Sequence, residues 1–225
     1  MTNTAPLMYS AVYRSIGNLQ GHIMRIKILF SCIIVVFCTN ANSASVDVWA
    51  ESYRLESLTR YEQAAEALVP LLDKQPKNEF VLLRLGWLNY LSGTHNSAIE
   101  HYKKALSINN KSLDARLGLT LPLLAQQRWK EAAKFAQETL EIAPWNYYAH
   151  IRLMIAEEGM RQWKTLANHA NDVYMHYPSD ATVLVYLARA NRWLNNNKEA
   201  KEAYLKVLER VPGHIEALQF VEGQN

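Results

Sequence analysis

Apolar side chains fall at helical intervals along most of the chain. In residues 79–92, Phe80, Leu83, Trp87 and Leu91 mark one face, and Leu82, Leu85 and Leu88 add a second. That pattern predicts a helix covered on two sides. A turn follows near Gly93, and Ala98, Ile99, Tyr102, Ala105 and Leu106 then form the stripe of another helix. The two together predict a helix hairpin. The pattern recurs: Pro76, Asn110, Pro144, Pro178 and Pro212 are equally spaced, and Ala64, Ala98, Ala132, Leu166 and Ala200 keep step with them. A fixed period without insertions predicts one small unit, repeated and stacked.

Cut at that period, the chain divides into units 45–78, 79–112, 113–146, 147–180 and 181–214. They end on Asn78, Ser112, Asn146, Asp180 and His214. Four of these are good helix N-caps, whose side-chain oxygens accept from the unpaired amides of the next helix. The Pro two residues earlier has no N–H and ends the preceding helix. Pro122 is expected inside the first helix of the third unit, where it would remove a hydrogen bond and either bend the stack or be accommodated as a local irregularity. Residues 215–225 begin another first helix with Ile215, Ala217, Leu218 and Val221, a partial cap on the last apolar face.

The unit resembles the tetratricopeptide repeat (TPR), a Trp-x2-Leu-Gly-x2-Tyr block followed by Ala-x3-Phe and then Pro. The second unit supplies Leu85-Gly86, Gly93, Ala98, Tyr102 and Ala105; the fifth supplies Leu187-Ala188, Ala200, Tyr204 and Pro212. The third matches at Leu119, Trp129, Ala132 and Pro144, and the first matches well only in its second half. The fourth departs most, with Met154 for the small residue and Leu166 for the helix-contact Ala. Bulk there is expected to push its two helices apart. The resemblance implies an all-α fold, a right-handed α-solenoid of about five TPR helix hairpins with a short C-terminal helix.

Charge narrows the partners. The net charge is +3, from 24 basic and 21 acidic residues. Arg14, Arg25 and Lys27 lie in residues 1–44, which hold no acid, so the remainder is balanced. A balanced surface gives no support for nucleic-acid binding, which shows as a basic stripe. Residues 24–45 read as a secretory signal: a short basic start, the apolar run from Ile28 to Cys38, then small polar residues. The run is shorter than the ~20 residues of a membrane span. Cleavage near residues 43–45 would leave no transmembrane span; an uncleaved anchor is the alternative. Residues 1–23 look like neither signal nor repeat, and Met24 is a second candidate start. Both cysteines, Cys32 and Cys38, fall within the signal, so the mature chain would have no thiol.

No catalytic motif stands out. There is no phosphate loop, no nucleophile elbow and no HExxH or CxxC pair. His169 and His176 are seven apart but lack a third ligand at a useful spacing, so neither a metal nor another cofactor is expected. Glu157 and Glu158 are adjacent acids, one expected to face solvent and the other the groove. The chain is read as not an enzyme.

The resemblance places the ligand surface on the first helices. It implies that Trp49, Tyr53, Phe80, Arg84, Trp87, Tyr90, Tyr148, Arg152, Tyr186, Arg189, Arg192 and Trp193 point into the concave groove, with Leu117, Leu121, Leu124 and Glu158. Trp, Tyr and Arg are the residue types enriched at binding hot spots, though each aromatic has an equal reading as packing between helices. The family's Lys/Asn/Arg clamp for a C-terminal carboxylate is absent, because its Lys and Asn places hold Trp49 and Tyr53, or Leu83 and Trp87. The function expected is a non-enzymatic protein-binding scaffold of the bacterial envelope, exported and periplasmic. A glycan-binding accessory of polysaccharide export is the alternative, since sugars also stack on Trp and Tyr.

Overall fold

The computed structural model describes residues 47–223, so the expected 1–23 extension, the 24–44 signal and both cysteines lie outside the described residues. Among the described residues the chain is all helix: α1 (Val48–Ser57), α2 (Tyr61–Glu66), α3 (Val69–Lys74), α4 (Glu79–Leu91), α5 (His95–Ile108), α6 (Leu113–Ala125), α7 (Trp129–Ile142), α8 (Tyr147–Gly159), α9 (Trp163–His176), α10 (Ala181–Trp193), α11 (Asn197–Arg210) and α12 (Ile215–Glu222). No helix among them is long and apolar enough to cross a membrane.

The capping logic holds at each junction. Asn78, Ser112, Asn146 and Asp180 accept from the backbone amides of Val81, Ala115, Ala149 and Val183. His214 does the same through Nδ1 toward Ala217, and Asp47 caps α1 through the amide of Trp49. A second periodic series emerges at the tips of the hairpins. Thr59, Gly93, Gln127, Arg161 and Asn195 all have positive φ, between 57° and 80°. The left-handed turn thus recurs once per repeat, but a glycine occupies only one of the five places.

Helices pack as an α-solenoid. Within hairpins α4 lies on α5, α6 on α7 and α10 on α11, and α4, α6, α8 and α10 also adjoin one another in sequence. The second helices lack comparable neighbour contacts, so the first helices form the inner layer of the stack. Ala64, Ala98, Ala132, Leu166 and Ala200 are all fully buried, as the repeat places them. Tyr102 is wedged between repeats: a Cβ on Gly86 would lie 2.8 Å from its ring, and one on Gly118 2.2 Å.

Three local features depart from the regular unit. The second helix of the first unit is broken into α2 and α3, because Pro70 sits in the first turn of α3 and lacks the N–H that would continue α2. Pro122 is buried inside an unbroken α6; it lies in the last turn, four residues after Gly118. In the fourth hairpin α8 and α9 pack less closely than α4 on α5, α6 on α7 or α10 on α11. Met154 and Leu166, both fully buried, fill that space as their bulk predicts.

Candidate functional site

At the N-terminal end of the inner layer, α1 and α4 bring six of the expected groove residues together. The Trp49 and Phe80 rings lie 4.8 Å apart, and Phe80 is 55% exposed. Arg84 is buried, against the expectation of a groove cation free to take an acid. Its Nη1 lies 2.6 Å from Glu56 Oε2, and its guanidinium sits 3.9 Å from the centre of the Tyr53 ring. Trp87 donates its indole N–H to Glu56 Oε1 at 2.7 Å, so Glu56 ties the two side chains together. Tyr90 packs beside Trp87, with 5.8 Å between centroids. The Nε and Nη2 of Arg84 are sealed from solvent without a partner.

The C-terminal end contains the other six. Tyr148 on α8 and Trp193 on α10 are each 63% exposed, while Tyr186 is buried. Burial pushes the Tyr186 phenol up to about 12. Arg189 donates to both oxygens of Glu216 at 2.7–3.0 Å and lies 3.5 Å from Glu158. Tyr204 also donates to Glu216, at 2.6 Å. Burial pushes the Glu216 carboxyl up, but these hydrogen bonds outweigh it and leave the group below its ordinary value. The network ties α10, α11 and α12 together and occupies Arg189. Arg192 lies over the Phe220 ring at 5.6 Å. Trp193 stacks on Trp163 at 5.1 Å, with the rings 5° from parallel. Arg152 donates from Nη1 to the backbone oxygen of Leu117 on α6, and the Tyr148 ring lies 6.0 Å away.

Three family models, each described as tetratricopeptide repeat, match residues 50–112, 89–144 and 182–214. The chain is built from tetratricopeptide repeats. No curated protein matches the sequence. Among solved structures, MamA from Desulfovibrio magneticus RS-1 aligns at a TM-score of 0.69 and 19% identity, over 75% of this chain and 95% of that one. YrrB, described as a TPR protein with an unusual peptide-binding site, aligns at 0.66 and 17%, over 77% and 90%. TTC0263, a thermophilic TPR protein in Thermus thermophilus, aligns at 0.58 and 16%, over 79% and 97%. At these identities the likeness is one of fold.

Those three models leave the fourth TPR unit between their matches, and that unit holds what the sequence reading missed. His169 Nδ1 lies 2.9 Å from Glu157 Oε2. His169 Nε2 lies 2.9 Å from His150 Nδ1, and His150 Nε2 lies 2.9 Å from the Pro144 backbone oxygen. A neutral His150 that donates from Nε2 to Pro144 leaves Nδ1 free to accept from His169 Nε2. Burial pushes the His150 imidazole below its ordinary value, which favours that neutral form. The relay corrects one expectation. Glu157 is buried rather than facing solvent or groove, and Glu158 turns to Arg189. His176 stacks on Trp145 at 4.0 Å. Among the described residues no cluster of His, Cys, Asp or Glu is arranged to hold a metal ion.

Proposed function

We propose that this TPR protein is a non-enzymatic scaffold that holds a peptide segment of a protein partner along its first helices. One observation carries the reading: four aromatics on those helices, Tyr53, Phe80, Tyr148 and Trp193, keep between 48% and 63% of their surface exposed. Large exposed rings on an inner layer offer contact area with little rotamer entropy to lose. TPR stacks use extended surfaces of this kind for binding. No observation favours a polysaccharide over a peptide.

The test is an array of random twelve-residue peptides probed with the purified protein. Tyr148→Ala and Phe80→Ala are expected to weaken capture by tenfold or more. Unfolding stability is expected to stay within about 0.5 kcal/mol, the usual range for exposed positions. Capture unaffected by either change would remove the first helices as the binding surface. An envelope location is part of the proposal and rests on residues 24–45 alone. Intact mass of the exported protein is expected to begin near residues 43–45, and a mature chain retaining Met24 would overturn it.

A further inference from the structure

The arginines of the stack are not equivalent, and the difference points to the chemistry of the partner. Among those that are at least partly buried, Arg84 pairs with Glu56, Arg116 with Glu138, Arg128 with Glu131, Arg189 with Glu216 and Arg210 with Glu209. Arg152 has no acidic partner among the described residues. It projects from α8, in the middle of the inner layer, and its Nη1 donates to Leu117 O on α6. Tyr102, Tyr90 and Tyr148 surround it and bring no counter-charge at neutral pH.

A half-buried cation without a counter-ion is costly; the Leu117 carbonyl offsets part of that cost, and a partner that brings the opposite charge would offset more. The open edge of Arg152 has the shape for one. With Nη1 committed to Leu117, Nε and Nη2 remain, and these two parallel N–H groups form the fork that takes a carboxylate through two hydrogen bonds. Neither has a partner among the described residues, and neither is sealed as the same atoms of Arg84 are. Burial also pulls the Arg152 guanidinium below its ordinary value, although it keeps its charge at any physiological pH. Tyr148, beside it and 63% exposed, adds an apolar wall at the same place.

We propose that Arg152 is the anchor for an Asp or Glu carboxylate of the bound segment, held by the Nε/Nη2 fork beside the Tyr148 ring. The inference rests on the peptide-binding reading above. It is specific to one carboxylate at the centre of the stack and uses none of the paired arginines.

The same peptide array tests it, read twice: once as synthesised, and once with every Asp and Glu replaced by Asn and Gln. Bound peptides are expected to lose tenfold or more in affinity on that replacement. In Arg152→Gln, which removes the charge and the Nε/Nη2 fork, the loss is expected to fall below threefold. Arg60→Gln, a change at an exposed arginine between α1 and α2 and outside the inner layer, is expected to leave it intact. Equal binding of acid and amide peptides would overturn the carboxylate anchor while leaving the peptide groove standing. An equal effect of Arg60→Gln would also overturn it, since the acid would then be answering to general charge. Capture of no peptide at all would overturn both readings. Should Arg152→Gln lose its helical signal, the Arg152 Nε–H resonance of the unaltered protein decides. It is expected to shift with the best acidic peptide and not with its amide counterpart, and no shift overturns the anchor.

Discussion

Arg84 carries its charge to an 8% exposed site with Glu56 beside it, and that pair decides what a mutation there reports. Breaking a buried ion pair costs about 3–5 kcal/mol. Glu56 is 23% exposed and keeps the Trp87 N–H, so Arg84→Ala is expected at or just below the low end, read by urea unfolding. A change with no loss of stability would mean that the pair is not formed in solution. The pairing was not legible in the sequence, because Glu56 belongs to the first repeat and Arg84 to the second. Arg189 and Glu216 also link successive first helices, in the opposite order, with the arginine on α10 and the acid on α12. A basic and an acidic residue six or seven positions short of one period apart is the signal that could have found both. The histidines add a dependence on acidity. His150 and His101 both sit below their ordinary values, chiefly through burial. The unfolded chain, with His near 6.5, therefore binds protons more readily than the folded one. Stability from these groups is complete above about pH 6.5 and is lost as pH falls below it. His150→Gln is expected to flatten the fall in melting temperature between about pH 7.5 and 5.5, and an unchanged slope would show that His150 is not the group responsible.

At the scale of the element, the helices were legible because period, cap and stop signal coincide in the same residues. The turns were less so. Gly93 marks its turn, but Thr59, Gln127, Arg161 and Asn195 occupy the same left-handed place without glycine's freedom. Such a conformation costs roughly 1–2 kcal/mol in a residue other than Gly or Asn. Arg161→Gly and Gln127→Gly are therefore expected to raise stability by about 1 kcal/mol each in thermal unfolding. Gly118→Ala is expected to do the opposite, because its Cβ would meet the Tyr102 ring at 2.2 Å; overpacking of this sort costs about 1–3 kcal/mol. If all three left the melting temperature unchanged, the turn and wedge geometry would be wrong. The split of the first unit into α2 and α3 was written in Pro70, whose effect the stripe of apolar residues concealed.

Across the whole molecule, each repeat is held by its neighbours, so stability is a sum of local units and interfaces rather than one cooperative core. The N-terminal end is the weakest by that measure. α2 and α3 have six residues each, and α3 has no buried residue. Helices so short are marginal without packing. Backbone amides of α2 and α3 are expected to exchange hydrogen fastest among the helices, and those of α6, in the middle of the stack, slowest. Exchange at a uniform rate would indicate a single cooperative unit instead. The candidate binding surface was legible as a set of positions, because the repeat dictates which residues share the inner layer. Which of its arginines are already occupied was not, since occupancy depends on partners that only the stacking brings near.

The buried relay of the fourth unit carries a consequence for descent. Apolar contacts can be exchanged one at a time for others of similar volume. Three directional bonds through His150, His169 and Glu157 cannot, because losing any one member strands the polar atoms of the next. In homologous chains these three positions are therefore expected to change together, as an inherited block, with apolar residues arriving at all three at once.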